Sequence, residues 1–321
     1  MDRVRRLLSS FMMLLAIVGF TLVPSGALAQ QPSRDDAIGN IGLSGSPTGA
    51  GVSDAMVWVT EVTDTGAQAE RINPQTNRVV ATVPVGAFPV RVAVDGHAVW
   101  VTNFDDNTVS RINPVTNAVV ATIPVGPGPF GIGLAAGVVW VANSGDATVS
   151  RINPATNTVV ATVQVGAPPP VFRGLGTGQG AVWVTNGDNS VSRINPATNK
   201  VVATVPIDNC CDGEVAVDPN AVWISNHITS SVIRINPHTN QVVATVEVPS
   251  AFGIGVLGHA VWVVGTTDAG GVLSQINPAT NSLTRTIPLD GFLGALATGD
   301  GSVWVPAFEL ELIFRIDPSS E

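Results

Sequence analysis

The chain contains no tyrosine, a single lysine (Lys200), two cysteines and four histidines. Charged residues make up 12% of its 321 positions, about half the ordinary share. No stretch keeps a helical period. The Gly-x-Ser-x-Gly elbow, the phosphate loop, CxxC, HExxH and the dinucleotide fingerprint are all missing, which removes the enzyme classes that depend on them. The histidines stand far apart in sequence, so no Cys–His catalytic arrangement can be read. Residues 30–321 carry 12 basic against 23 acidic side chains. That balance excludes a nucleic-acid backbone or an anionic membrane surface as partner. With 45% hydrophobic residues the chain has ample material for a core and is not a disordered one.

What is present begins with an export pattern. Arg3, Arg5 and Arg6 precede an apolar run over 7–23, Pro24-Ser25-Gly26 breaks it, and Ala27-Leu28-Ala29 forms a small-residue cleavage site. These features predict a signal peptide over 1–29, a short polar linker over 30–36 and an extracytoplasmic mature protein, secreted or periplasmic, that leaves the membrane on cleavage. The rival reading is an uncleaved anchor, since the run is near the lower spanning length.

Seven tryptophans follow: Trp58, Trp100, Trp140, Trp183, Trp223, Trp262 and Trp304, separated by 42, 40, 43, 40, 39 and 42 residues. Each lies in a segment like Ala98-Val99-Trp100-Val101-Thr102-Asn103. Arg-Ile-Asn-Pro follows, beginning at Arg71, Arg111, Arg151, Arg193 and Arg234, with variants at Gln275 and Arg315. A Val-Val-Ala-Thr run and a Gly-rich connection complete the unit. Val, Ile, Thr and Trp in short runs punctuated by Gly, Pro, Asn and Asp read as strands. A repeat near 40 residues with four strands is the period of a propeller blade. Pro84, Pro124, Pro206 and Pro288 recur at one point of the Val-Val-Ala-Thr strand. Proline cannot donate to a ladder, so this strand is placed at the outer edge as strand D. The Gly-rich strand is then A on the channel, the Trp strand B and the Arg strand C. Residues 37–43 align with a strand D, and Arg315-Ile316-Asp317-Pro318 ends a strand C. The expectation is an all-β, seven-bladed propeller over 37–321, closed by an N-terminal strand that completes the last blade.

Trp100-Val101-Thr102-Asn103 and Trp183-Val184-Thr185-Asn186, each followed by Val-Ser-Arg-Ile-Asn-Pro and Val-Val-Ala-Thr, resemble the YVTN-family propeller repeat, with Trp for its leading Tyr. The resemblance spans all seven units and implies an exported or surface propeller. A more distant similarity is to virginiamycin B lyase-like propellers, whose blades carry Trp-Phe-Thr-Glu. Trp58-Val59-Thr60-Glu61 is the nearest counterpart here. That similarity implies a catalytic His and a metal held by acidic side chains.

Residues repeated in most blades read as scaffold, and residues that break the repeat at a loop read as site candidates. The start of strand A is Gly49, Arg91, Gly131, Arg173, Glu214, Gly253 and Gly294. The departures Arg91, Arg173 and Glu214 should project at the channel rim, either as an ion pair or as an anion-recognising Arg pair opposite an acid. Phe130, Phe172, Phe252 and Phe292 precede four of these positions as an apolar collar. His227 follows Asn226 on the same face as Glu214, so this pair forms the catalytic or metal-ligating candidate. Cys210 and Cys211 are adjacent, and an even count in an exported chain favours a vicinal disulfide. The expectation is a non-catalytic module binding a small molecule, a glycan or an envelope protein, as a monomer without cofactor. Two alternatives stand beside it: a lyase or hydrolase with Glu214, His227 and a divalent metal, and a structural cell-surface protein.

Overall fold

The computed structural model describes residues 37–53, 56–166, 174–210 and 213–318. The expected signal peptide and linker lie outside them. Seven four-stranded antiparallel sheets surround one channel, each ordered A-B-C-D from the axis outward. Blade two shows the plan: Pro89–Val94 (A), Val99–Asn103 (B), Thr108–Asn113 (C) and Ala118–Pro124 (D). Blade seven is composite. Its inner strands are Ala297–Gly299, Ser302–Ala307 and Leu312–Ile316, and Ala37–Gly42 supplies strand D with Ile41 facing Ile313. A backbone bridge between Gly49 and Ala295 joins blades one and seven at the axis. The ring therefore closes non-covalently.

Local chemistry explains the repeat motif. In Asn-Pro-x-Thr-Asn the first Asn caps its own turn: Asn113 Oδ1 accepts from the backbone N–H of Val115 at 2.8 Å and of Thr116 at 3.1 Å. The last residue, Asn117, holds φ of 52°, a conformation Asn tolerates better than most residues. The strand-C Arg reaches that turn in the next blade. Arg71 Nη1 donates to Pro114 O at 2.9 Å, and Arg234 Nη1 to Pro278 O at 2.9 Å and Asn281 Oδ1 at 2.8 Å. Arg315 does the same to Pro74 and Asn77 of blade one, across the closure. The same guanidinium lies over the Trp of its own blade, as Arg111 does over Trp100 at 4.9 Å. Arg71, Arg111, Arg193, Arg234 and Arg315 are thus staples between neighbours.

The seven tryptophans are at most 1% exposed, and each anchors a separate core. Trp58 of blade one packs with Val99, Val101 and Ile112 of blade two. Trp304 packs with Val57, Val59 and Ile72 of blade one. The hydrophobic core is therefore seven seams between blades, one Trp per seam. At the axis the blades meet backbone to backbone: a Cβ on Gly49 would lie 2.3 Å from Val90 O. Strand D also carries a bulge not foreseen from the sequence. Arg111 pairs with Ala121 and Ile112 with Val119, which leaves Val120 as the extra residue, 52% exposed. The second Val of Val-Val-Ala-Thr bends the outer edge away from partners, a device that adds to the edge prolines.

Candidate functional site at the channel mouth

The D–A and B–C loops lie at one end of the channel. Their spacing is set by a hydroxyl relay built on the Thr of Trp-Val-Thr-Asn. In blade two the Arg91 N–H donates to Thr102 Oγ1 at 3.2 Å, and Thr102 Oγ1 donates to Phe130 O of blade three at 3.0 Å. In blade five the Glu214 N–H donates to Ser225 Oγ at 2.9 Å, and Ser225 Oγ donates to Phe252 O of blade six. The relay fixes the start of strand A in one blade and the Phe-bearing loop of the next. Side chains at strand-A starts are therefore presented to the axis in a fixed geometry.

Two of those side chains meet. Arg91 Nε donates to Glu214 Oε1 at 2.9 Å and Nη2 donates to the same oxygen. Nη1 donates to Val90 O at 2.8 Å. The pair spans the channel from blade two to blade five, with side chains 11% and 14% exposed. The guanidinium also lies 4.2 Å from the centroid of Phe130, within cation–π range. Arg91 thereby commits Nε, Nη1 and Nη2 to contacts within a strut across the channel mouth. Glu214 directs Oε1 across the axis to Arg91, and His227 sits in the B–C turn of Glu214's own blade. Arg173, Phe172 and Cys211 lie outside the described residues. Cys210 is disulfide-bonded and 3% exposed.

Beside the strut is a shallow apolar depression with a cavity volume of only about 20 Å³. Phe88, Phe130, Phe252, Phe292 and Phe308 line it with Arg91. These rings come from blades two, three, six and seven. Phe130 is 2% exposed beneath the guanidinium, while Phe88, Phe252, Phe292 and Phe308 are half-buried. Phe88 stands at φ of 49°, where Gly128 occupies the matching position of blade three at 62°. A bulky residue in the left-handed region is uncommon and costs roughly 1–2 kcal/mol. Phe104 packs edge-on against Phe88, their centroids 6.2 Å apart. Sequence reasoning passed over Phe88 and Phe308. The available signal was that six of the seven described phenylalanines fall in or beside D–A and B–C loops.

Sequence reasoning also passed over a buried carboxyl pair in blade one. Glu61 takes the place of Asn103, whose Nδ2 donates to Thr108 and Ser110 at 2.9 Å each. Glu70 takes the place of Ser110. Glu61 is fully buried and Glu70 1% exposed. Burial first, and the paired Glu70 carboxyl second, push Glu61 up to about 8. Ser44 Oγ donates to Glu70 Oε1 at 2.5 Å. Ser44 lies between the closing strand Ala37–Gly42 and Ser46–Ser53, so the pair is tied to the segment that closes the ring.

Two further features complete the charge picture. Asp105 is raised by partial burial and by the neighbouring Asp106 charge. Among the described residues no group of three or more His, Cys, Asp or Glu side chains is placed to hold a metal ion. On the opposite face a second depression between blades two and three is lined by His97, Trp100 and Arg111. Its Arg111 is committed to Pro154 O at 2.6 Å and Asn157 Oδ1 at 2.7 Å.

The fold and the closed ring define a seven-bladed β-propeller, and comparison with solved structures agrees. A streptogramin B lyase structure superposes with a TM-score of 0.73 at 18% identity, over 87% of this chain and 96% of that one. Hydrazine synthase of Kuenenia stuttgartiensis gives 0.74 at 13% identity, over 94% and 100%. The WD40 propeller domain of Doa1 gives 0.71 at 13% identity, over 88% and 97%. At these identities the likeness is one of fold. No family model and no curated protein sequence matches the chain.

Proposed function

We propose that the chain is an exported, YVTN-like propeller that acts as a non-catalytic binding module, with the channel mouth on the D–A and B–C face as its site. One observation carries this reading. Half-buried phenylalanines from several blades converge on one apolar depression, and Phe88 is held there at a φ of 49°. Folding alone does not require an aromatic ring at a position the next blade gives to Gly128. Backbone strain retained in a cleft is a mark of function. Partly exposed aromatic rings gathered at one end of the channel are a common mark of an interaction surface. The ring is fixed by its seams, so the loops meet a ligand as a preformed surface.

The metal-dependent lyase or hydrolase reading is less well supported. It needs Glu214, whose Oε1 is held by Arg91, to act together with His227. The binding reading needs no rearrangement. The test is a thermal-shift screen of apolar and aromatic small molecules and short glycans, repeated on Phe252→Ala and Phe292→Ala. Ligands that raise the midpoint of the parent but not of either variant support the site, because stabilisation follows RT ln(1 + [L]/Kd). Shifts that persist in both variants refute it.

A further inference from the structure

The depression between blades two and three, on the face opposite the mouth, has a cavity volume of about 500 Å³. That size falls within the range typical of small-molecule sites. The A–B turns of both blades and the C–D turn at Pro154 wall it, Leu134 and Val138 give it apolar surface, and Trp100 and Arg111 border it. Blade seven shows how the protein can close the guanidinium edge beside such a turn. There Arg315 Nε donates to Ser302 Oγ at 3.0 Å, and Nη2 pairs with Asp300 Oδ2 at 3.5 Å. In blade two the matching positions hold Ala98 and Gly96, which offer no acceptor side chain. Arg111 bonds through Nη1 alone, to Pro154 O and Asn157 Oδ1. Its Nε and Nη2 have no acceptor among the described residues. The indole tells the same story. In blade five Trp223 Nε1 donates to Asp218 Oδ2 at 2.7 Å. Asp95 stands at the same place in the turn of blade two, where its Oδ1 accepts from the N–H of His97 and of Ala98 at 2.7 Å each. Yet Trp100 Nε1, in a residue 1% exposed, has no acceptor. A buried donor left without an acceptor is costly. The cleft therefore combines ligand-sized space with open donors from two side chains.

We infer that this cleft binds a small monocarboxylate with an apolar body. The carboxylate accepts from the open Nε and Nη2 edge of Arg111 and from the Trp100 N–H, and the body packs on Leu134 and Val138. Two parallel N–H groups of a guanidinium match the geometry of a carboxylate, and such charge-assisted pairs are the strong ones. The Nη1 bonds to the C–D turn hold the guanidinium in place before the ligand arrives. A single negative charge suits the cleft, because the Asp95 carboxylate on its wall repels a second. The site is separate from the mouth and does not rest on the reading of the phenylalanine collar.

The experiment titrates hydrocinnamate, its neutral amide and phenylsuccinate into the purified protein by calorimetry. Hydrocinnamate should bind once per chain. The amide should bind at least about tenfold more weakly, because it forfeits the charge-assisted pair. Phenylsuccinate, with its second charge, should also bind more weakly. Gly96→Asp combined with Ala98→Ser gives Arg111 the partners that Arg315 has. A Cβ on Gly96 would meet no heavy atom within 4 Å, so this variant should keep its thermal midpoint while hydrocinnamate affinity falls at least about tenfold. Ala155→Trp is a second, independent block. Other blades place Gln75, Val115 and His238 at that turn position, so the fold accepts a side chain there, and the indole should fill the cleft and abolish binding. Phe292→Ala, at the mouth, should leave hydrocinnamate binding unchanged. Equal binding of hydrocinnamate and its amide overturns the inference, as does phenylsuccinate binding as tightly as hydrocinnamate. Hydrocinnamate binding that survives Ala155→Trp overturns it too, as does a failure to bind at millimolar concentration. Loss of binding in Phe292→Ala would put the ligand at the mouth and likewise overturn it.

Discussion

Raising the pH should weaken this propeller through a single buried group. Glu61 is fully buried beside Glu70, and its carboxyl is pushed from 4.5 up to about 8. Between those values the folded chain holds a proton that the unfolded chain has released. Stability therefore falls as pH rises through this window and levels off above it. At 1.36 kcal/mol per unit, a shift of that size corresponds to about 5 kcal/mol between pH 4.5 and 8. For a domain of this size about 2 °C accompanies each kcal/mol, so the midpoint should drop by close to 10 °C from this group. Other groups titrate too, so the decisive comparison is with Glu61→Gln. An amide restores the donor chemistry that Asn103 provides in blade two, and it cannot ionise. The variant should match the parent within about 1 kcal/mol near pH 5 and exceed it by several kcal/mol at pH 9. Calorimetric or fluorescence melts across pH 4.5–9 read both profiles. Parallel profiles for parent and variant would refute the argument, because the proton would then not reside on Glu61. Glu70 also holds Ser44, so the loss at high pH should begin at the ring closure. Amide exchange of Ala37–Gly42 should rise before that of the other outer strands.

Four further outcomes follow from the geometry. Glu214→Ala should cost about 3–5 kcal/mol, because it strands the desolvated Arg91 guanidinium, whereas the double change Arg91→Leu with Glu214→Leu should cost far less; chemical denaturation of both variants decides. Arg234→Ala should lower stability by about 1–3 kcal/mol by leaving Pro278 O and Asn281 Oδ1 without their donor. Trp223→Ala, in the same blade, should cost about 3–5 kcal/mol through the cavity it leaves. Phe88→Gly should gain or lose less than about 1 kcal/mol of stability, as relief of the left-handed backbone offsets lost packing, while ligand affinity at the mouth falls.

Almost all of the architecture is legible in the sequence. The Trp period fixed the blade count, the strand-D prolines the outward order, and residues 37–43 the closure with Ile41 facing Ile313. This legibility has a physical cause. Each blade solves the same local problem, so turn caps, staples and the seam Trp recur at the same spacing and mark one another as scaffold. The bulge at Val120 escaped notice because the extra residue is chemically identical to its neighbour Val119, and nothing in Val-Val-Ala-Thr distinguishes one from the other.

The site was less legible because its meaning lies across the ring. Arg91 and Glu214 are 123 positions apart and belong to different repeats. A repeat alignment shows that both depart from Gly, but not that they meet across the axis. The pairing changes what each residue can do. Read singly, Arg91 is an anion receptor and Glu214 a base. Joined, they form a strut across the channel mouth. Glu61 and Glu70 follow the same logic within one blade: each looks like a single polar exchange for Asn or Ser, and only their pairing on adjacent strands makes a proton-binding site. In a propeller with uniform seams, departures from the repeat gain function by meeting one another, so their partners matter more than their identities.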